Sequence, residues 1–557
     1  MKFQPHKSAV LVLALTLFST FFQLNVLAQT ISYEAPDLEQ VWTRIDKEAQ
    51  YEGRELIGVV LEEHHDFFEY ASHAVLDNGV DEWRLTLESE AADGLCVYFN
   101  DFHIPVGAEL YLESPAGQWG TVYSEGPIDF KENNDHGKWA SGDIPGEQIV
   151  IVYRSNSSVI GHPHLGIMGL GYFVQGVTRG SDPCQVDVMC PEGDSWQCER
   201  DGAVRLRVTQ NGGIYYCSGS MVNNTNLDCR QLMLSAFHCA DAVQDDEWGY
   251  FKVRFNYEYL ECGGTTSVNS HTRTGVFLLT SSDDSSPQGF NGSDFLLVEV
   301  EDPITESWNP FYSGWDVSGV AGNEGVGIHH PSGDRKKIST YTNTLINSSI
   351  GAPGSHWKVY WAATQTDHGV TEGGSSGSPI YDENHHIVGT LSSGASACSN
   401  GGAGPGTGPY APDYYGKMSY HWDGNNPIPE QDKLKYFLDP NSTGVEYLHG
   451  SYVGEGAQPC GGFGACDETE VSGQILETFG WDISPNPASN SALITMPNGA
   501  PLLEVRIYDA SGRIVESNIP GDVEFFNLDL SNLNVGLHYI TVRTIGGASS
   551  TQKLLVY

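Results

Sequence analysis

The chain has 557 residues, of which 28 are basic and 71 acidic, for a formal net charge of −43. That excess of carboxylates repels phosphate backbones and anionic headgroups, which excludes nucleic acid and anionic membrane surfaces as general partners. The length exceeds that of one domain, so three or four folded units are expected. A negative field also favours the approach of basic polypeptides over about 10 Å at ordinary ionic strength, although solubility alone is a sufficient reason for surface charge. Lys2 and Lys7, the apolar run from Ala9 to Phe22 and the Val26-Leu27-Ala28 sequence read as a secretory signal peptide over residues 1–28. Its apolar core is shorter than the ~20 residues of a spanning helix, and no later segment reaches that length, which predicts a soluble mature protein.

Residues 29–179 are β-rich and aromatic, as at Trp83-Arg84-Leu85-Thr86-Leu87 and Gln148-Ile149-Val150-Ile151-Val152-Tyr153, and hold no nucleophile beside a base. Placed ahead of the chemistry described next, they read as a prosegment that covers a cleft or assists folding. Arg179-Gly180, five residues before Cys184, is its expected cleavage junction.

Three stretches downstream supply a base, an orienting carboxylate and a nucleophile: Ala236-Phe237-His238-Cys239, Ser293-Asp294-Phe295-Leu296-Leu297 and Gly373-Gly374-Ser375-Ser376-Gly377-Ser378-Pro379. A serine hydroxyl is too weak an acid to attack an amide unaided; it needs an imidazole to take its proton and a buried carboxylate to fix the imidazole tautomer. The glycines around Ser376 permit a tight turn in which the N–H groups of Gly374 and Ser376 converge as an oxyanion hole. Taken singly, the three are equally a core histidine, a turn aspartate and a flexible loop. Their conjunction favours a triad, because the apolar run Phe295–Val300 carries Asp294 inward and Pro379-Ile380-Tyr381 starts a strand behind the nucleophile. The order His, Asp, Ser is that of chymotrypsin-like enzymes.

Residues from about Cys184 to Trp422 resemble the secreted bacterial lysyl endopeptidases, a branch of that fold. The resemblance is carried by Cys184-Gln-Val-Asp-Val-Met-Cys190-Pro-Glu-Gly-Asp194, Cys217-Ser-Gly-Ser-Met-Val-Asn-Asn-Thr225, Gly327-Ile-His-His-Pro331 with Lys337-Ile338-Ser339, and Gly369-Val370-Thr371-Glu372. It implies an all-β protein with two six-stranded antiparallel β-barrels over residues 180–450 and a cleft between them. Many short runs rich in Val, Ile, Tyr and Thr between Pro, Gly and Asn clusters agree, and no long amphipathic helix is evident. It also implies the disulfides Cys184–Cys398, Cys190–Cys262 and Cys217–Cys239. Cys198 with Cys229, and Cys460 with Cys466, are further pairings to weigh, and Cys96 is left over.

The same resemblance places Asp413, within Ala411-Pro412-Asp413-Tyr414-Tyr415-Gly416, in the primary specificity pocket, with Asp367 as the competing choice. Cleavage after lysine, with arginine as a further residue accepted, is the implied activity. The best-known members carry a tryptophan and a histidine near the cleft where this chain has Ser348 and Ser392, which bears on lysine strictness. Ser375 stands where animal digestive members have an aspartate that receives the new N-terminus, so that activation trigger is absent. A silent adhesin on the same scaffold and an esterase using the same triad are the alternative functions. His329-His330 and His385-His386 are adjacent pairs, and neighbours in a strand point to opposite faces, so no chelated catalytic metal and no organic cofactor are expected.

Residues 451–475 turn to Gly, Pro and Ser as a linker. From about residue 476, Ser484-Pro485-Asn486-Pro487, Val505-Arg506-Ile507-Tyr508-Asp509, Leu528-Asp529-Leu530 and Lys553-Leu554-Leu555-Val556-Tyr557 resemble the C-terminal sorting domain of the type IX secretion system. That implies a small β-sandwich, the secretion machinery as a partner, and a secreted or surface protein of a Gram-negative bacterium. An ordinary binding sandwich is the alternative. The mature protein is expected to be a monomer acting on polypeptides with basic residues.

Overall fold

The computed structural model describes residues 29–51, 55–115, 124–156, 159, 161–175, 177, 180–282, 292–301, 304–398, 408–425, 429–452, 481–496, 502–508, 514–518, 525–531, 533–544 and 549–557. The expected signal peptide, Arg179, Cys460 and Cys466 lie outside these residues.

The first barrel runs, in spatial order, through Lys252–Phe255, Ala203–Gln210, Gly213–Met221, Leu232–Ser235 and Leu296–Val300. The consecutive strands His271–Thr274 and Val276–Ser281, bent at Gly275 with φ 97°, pair with its two ends and close it. Val204, Leu206, Val208, Met233, Val253, Leu296 and Val298 fill its interior. The second barrel orders Lys337–Tyr341, Gly325–His329, Pro379–Asp382, Ile387–Gly394, Asp413–Lys417 and His356–Val359. The Ala362 N–H donates to the Thr340 carbonyl at 2.8 Å and returns the last strand to the first. Tyr341, Trp357, Trp361, Ile380, Leu391 and Tyr415 form its core. The chain is therefore the expected all-β double barrel. Cys184–Cys398, Cys190–Cys262 and Cys217–Cys239 are bonded as the resemblance implied. Cys198 is disulfide-bonded, but Cys198–Cys229 is not among the disulfides of the described residues.

Residues 29–173 build a core of their own from Phe67, Leu85, Leu87, Val97, Phe99, Leu110, Ile149, Ile151 and Leu170. They also continue the first barrel. The strand Glu55–Asp66 pairs antiparallel with Gly213–Tyr216, and His164–Phe173 and Gly94–His103 extend the same sheet outward. This explains why Ala203–Gln210 and Gly213–Met221 are buried at every residue instead of alternately: one face packs in the barrel and the other lies under the N-terminal segment. One element departs from expectation. Leu38–Tyr51 is an α-helix of 14 residues, begun by Asp37, whose Oδ1 accepts the N–H groups of Glu39 and Gln40. Its apolar residues are few, but Val41 and Ile45, four apart on one face, pack on Leu56 and Tyr215.

The junction between the two parts is ionic as well as apolar. Asp143 of the N-terminal segment receives Arg205, Arg207 and the Tyr216 hydroxyl of the barrel, and all four are held away from solvent. Lys252 meets Glu125, and Arg273 meets Glu132 at 2.7 Å. Burial opposes the Asp143 charge, but Arg205 and Arg207 outweigh it and hold the carboxyl far below the usual carboxylate range. Removing one partner of a buried pair costs about 3–5 kcal/mol because the others remain uncompensated. Asp143→Asn is therefore expected to loosen retention of a cleaved N-terminal segment at least a hundredfold. The check is co-elution of residues 29–179 with the barrels after cleavage, and equal retention in the variant would refute it.

At the C-terminus, Asp482–Ser484, Ser491–Thr495 and Phe525–Asp529 form one sheet, and Ile514–Asn518, Leu502–Tyr508, Gly536–Thr544 and Ser549–Val556 a second. Trp481, Ile494, Val505, Ile507, Leu528, Ile540, Val542 and Leu554 make their shared core, a β-sandwich. Among the described residues, no helix is long and apolar enough to cross a membrane.

Candidate active site

His238 lies on a single turn, Phe237–Cys239, that leaves the strand Leu232–Ser235. The Cys217–Cys239 bond ties this turn to the neighbouring strand. Asp294 precedes the strand Leu296–Val300 and adopts a left-handed φ of 61°, a conformation short polar side chains tolerate. Its Oδ2 lies 2.7 Å from His238 Nδ1, and its Oδ1 accepts the His238 backbone N–H at 2.9 Å. Burial alone would raise the Asp294 carboxyl, but the charge and hydrogen bonds of His238, with a bond from Ser392, hold it below the ordinary aspartate value. Ser392 donates its hydroxyl to Asp294 Oδ2 at 2.6 Å. Neighbouring Ser293 is fixed by His421 Nδ1 at 2.7 Å and by Asn425, so the helix Met418–Asp423 and the residues just after it clamp the turn that presents Asp294.

The nucleophile loop docks on this arrangement from the other side. The Ser376 carbonyl accepts the Ser218 N–H at 2.8 Å and lies 3.7 Å from Cys239 Sγ. His238 Nε2 is buried with no hydrogen-bond partner among the described residues, so it is not hydrogen-bonded to Ser376 Oγ. Gly374 has φ 84° and Gly377 φ 79°, and a Cβ on either would strike backbone within 3.0 Å. Only glycine fits both the dihedral and the space. The N–H groups of Ser375, Gly377 and Ser378 are spent on Glu372, Leu391 and Ser375 carbonyls. Those of Gly374 and Ser376 donate to no group among the described residues.

Ser375 has a partner that sequence reasoning missed. His329 Nδ1 lies 2.8 Å from Ser375 Oγ and its Nε2 3.0 Å from Ser339 Oγ. Burial, reinforced by the Lys337 charge, pushes the imidazole down to about 3, so it is neutral and bridges two hydroxyls. The Gly327-Ile-His-His-Pro331 and Lys337-Ile338-Ser339 motifs thus meet beneath the residue before the nucleophile. A neutral chain of contacts therefore supports Ser375 from below. The paired histidines diverge as expected: His330 Nδ1 turns to the Asp334 carbonyl at 2.9 Å, while His385 reaches Glu199 at 3.2 Å.

Asp413 is fully buried at the start of Asp413–Lys417. Oδ1 accepts the N–H groups of Ala395 and Ser396 at 3.1 and 3.0 Å. Oδ2 accepts Trp361 Nε1, Thr371 Oγ1 and Ser396 Oγ at 2.6, 2.8 and 2.6 Å. Burial raises its carboxyl, and the donors of Ser396, Trp361 and Thr371 only partly offset that. The competing Asp367 is exposed on a loop, where its carboxylate takes the His368 N–H at 2.7 Å. Ser348 lies on the edge strand Ile346–Ser348. The N-terminal segment reaches the same cleft, since the Glu55 side chain packs on Gly373, leaving no room there for a Cβ.

Residues 178–416 match the family described as lysyl endopeptidase, C-terminal domain, and residues 482–557 match the secretion system C-terminal sorting domain. A curated lysyl endopeptidase of Pseudomonas aeruginosa is 31% identical over 231 residues, covering 39% of this chain and 46% of its own length. The chain thus spans about half the length of that relative. Among solved structures, the secreted serine protease VesC of Vibrio cholerae aligns with 64% of this chain and 68% of its own at 12% identity and TM-score 0.28. An inactivated protease paralogue of the scabies mite aligns with 44% and 95% at 13% identity and TM-score 0.28. The double barrel, up to Gly416, thus lies within the match to the lysyl endopeptidase domain, and the β-sandwich within the match to the secretion sorting domain.

Proposed function

We propose that the chain is an exported serine endopeptidase that cuts polypeptides after lysine, with arginine as a further residue accepted. The observation that carries this reading is the buried His238–Asp294 pair facing a loop whose Gly374 and Ser376 N–H groups are uncommitted. His238 Nε2 takes the Ser376 proton as Oγ attacks the scissile carbonyl. Asp294 holds the ring so that Nδ1 carries the hydrogen, and it stabilises the imidazolium. The Gly374 and Ser376 N–H groups receive the oxyanion. His238 then protonates the leaving amine, and water repeats the cycle on the acyl-enzyme. The reading needs no metal or organic cofactor. The matched sorting domain supports handling by the type IX secretion machinery and a destination at the surface or outside of a Gram-negative cell.

Residues 29–179 act in this scheme as a prosegment joined to the enzyme by a shared sheet, with Glu55 at the nucleophile loop. Maturation is expected to be autocatalytic at Arg179-Gly180, with Arg179 outside the described residues. Purified wild type should yield a form beginning at Gly180, whereas Ser376→Ala stays full length. A different N-terminus, or unchanged processing in the variant, would refute this. The function itself is tested by labelling with an organophosphonate at Ser376 and by mass spectrometry of peptides cut from a mixed proteome. A mature protein that neither labels nor cleaves would leave the silent scaffold, and turnover of simple esters alone would leave the esterase.

A further inference from the structure

The hairpin behind the nucleophile loop turns through Glu383-Asn384-His385-His386 between Pro379–Asp382 and Ile387–Gly394. His385 takes a left-handed φ of 69° and faces outward, whereas His386 faces inward and is 4% exposed. His386 Nε2 lies 3.1 Å from His449 Nδ1. Among the described residues its Nδ1 is buried without a hydrogen-bond partner, and it stands 3.9 Å from Asp382 Oδ1, beyond hydrogen-bond range. Asp382 is 5% exposed and already accepts the N–H groups of Asn384 and His386 at 3.0 and 2.9 Å and the Asn384 amide at 3.2 Å. Asp316, partly exposed on the short strand Trp315–Asp316, accepts the Ser318 N–H at 2.6 Å. Ligating atoms of Asp316, Asp382 and His386 all lie within 4.8 Å of one another.

We propose that these three side chains bind one divalent cation of the zinc class, held by His386 Nδ1 and one oxygen each of Asp316 and Asp382, with water in the fourth position. A buried nitrogen 3.9 Å from one carboxylate, clustered with a second and hydrogen-bonded to neither among the described residues, is an arrangement that a cation between them resolves. An Nε2–H directed at His449 Nδ1 fixes the tautomer whose Nδ1 lone pair faces that point, and such an outer partner is typical of zinc-bound histidine. The donor set discriminates among ions: calcium and magnesium prefer six or more oxygens, whereas imidazole with carboxylate suits zinc. Ligand atoms about tetrahedral zinc lie about 3.3 Å apart, given bonds of 2.0–2.1 Å. Asp316, the least buried of the three, is the side chain able to close that distance. The cation fastens Trp315–Asp316 to the turn of the hairpin whose first strand begins three residues after Ser376, so its role is structural. It gives His386, though not the adjacent pair His385-His386, a metal-binding part.

The test uses the full chain as Ser376→Ala, stripped with chelator and titrated with zinc and with cobalt(II). That protein should bind one more zinc equivalent than the same chain with His386→Gln. Asp316→Asn, a substitution at a partly exposed site that should leave the fold intact, should weaken this equivalent at least tenfold. Cobalt should give the visible absorption of a tetrahedral N/O centre in the parent alone. Zinc at about a hundredfold over the parent's Kd should raise the thermal midpoint by at least about 2 °C in the parent and by no more than about half as much in Asp316→Asn. Equal zinc stoichiometry and affinity in all three proteins would overturn the proposal, as would calcium binding through these residues in place of zinc.

Discussion

Asp294→Asn is expected to lower kcat about ten-thousandfold at neutral pH with the fold preserved. An asparagine is the same size and keeps an oxygen for the His238 backbone N–H and a group for the Ser392 hydroxyl, so the buried turn survives. What changes is the atom facing His238 Nδ1, now at 2.7 Å from a carboxylate oxygen. An amide NH₂ placed there donates, which forces Nδ1 to accept and moves the ring hydrogen to Nε2. In that tautomer Nε2 cannot take the Ser376 proton, and no negative charge remains to stabilise the imidazolium. Ser392→Ala removes one hydrogen bond to the same carboxylate, worth about 1.5–3 kcal/mol for a charged acceptor, so a roughly ten- to hundredfold loss is expected. Steady-state kinetics on a lysyl peptide, with circular dichroism as the folding control, separates the two. A loss for Asp294→Asn of less than tenfold would remove Asp294 from the orienting role.

For Asp413→Asn the expected loss is selective. Cleavage after lysine and arginine should fall roughly a hundredfold or more, from the about 3–5 kcal/mol lost when one member of a buried charge pair is removed. Leucine and glutamate peptides should change little. The hydroxyls of Thr371 and Ser396 donate to Oδ2, which turns their lone pairs outward, so a substrate ammonium meets oxygens polarised by the charge beneath. The pH dependence has a definite sign. Burial raises the Asp413 carboxyl above its ordinary value, so the free pocket loses its charge on acidification earlier than an ordinary aspartate would. The ratio of kcat/KM for lysine over leucine peptides should therefore fall as pH drops toward that raised value, and effects common to both substrates cancel in the ratio. A flat ratio in wild type, or unchanged preference in the variant, would take Asp413 out of the pocket role.

Much of the site was legible because its chemistry is local in the chain. The histidine turn, the aspartate ahead of an apolar strand and the glycine-flanked serine each carry a backbone requirement visible in a few residues, such as the positive φ of Gly374 and Gly377. The partners that hold them were not legible. Ser392 read as a missing histidine, yet it donates to Asp294 across 98 positions of sequence. His329 and Ser339 stood in quoted motifs without a task until the barrel placed both beneath Ser375. The helix Leu38–Tyr51 escaped because its packing stripe is thin, and its support comes from Leu56 and from Tyr215 in the first barrel.

The sequence by itself pointed to the all-β class, to candidates for base, carboxylate and nucleophile, and to the sorting domain over residues 482–557, while the three disulfides were implied by the family resemblance. The fold class and the candidate residues follow from alternation, turn chemistry and motif spacing, which are properties of neighbouring residues; the disulfides and the sorting domain follow from resemblance to known families. Only the tertiary structure decided that residues 29–173 share a sheet with the first barrel, that Asp143 lies between Arg205 and Arg207, that Trp361, Thr371 and Ser396 surround Asp413, and that His386 faces two carboxylates. The reason is that a buried polar group must find its partner wherever the fold brings one within about 3 Å. Such pairings join segments tens to hundreds of residues apart and leave no periodic trace in either segment.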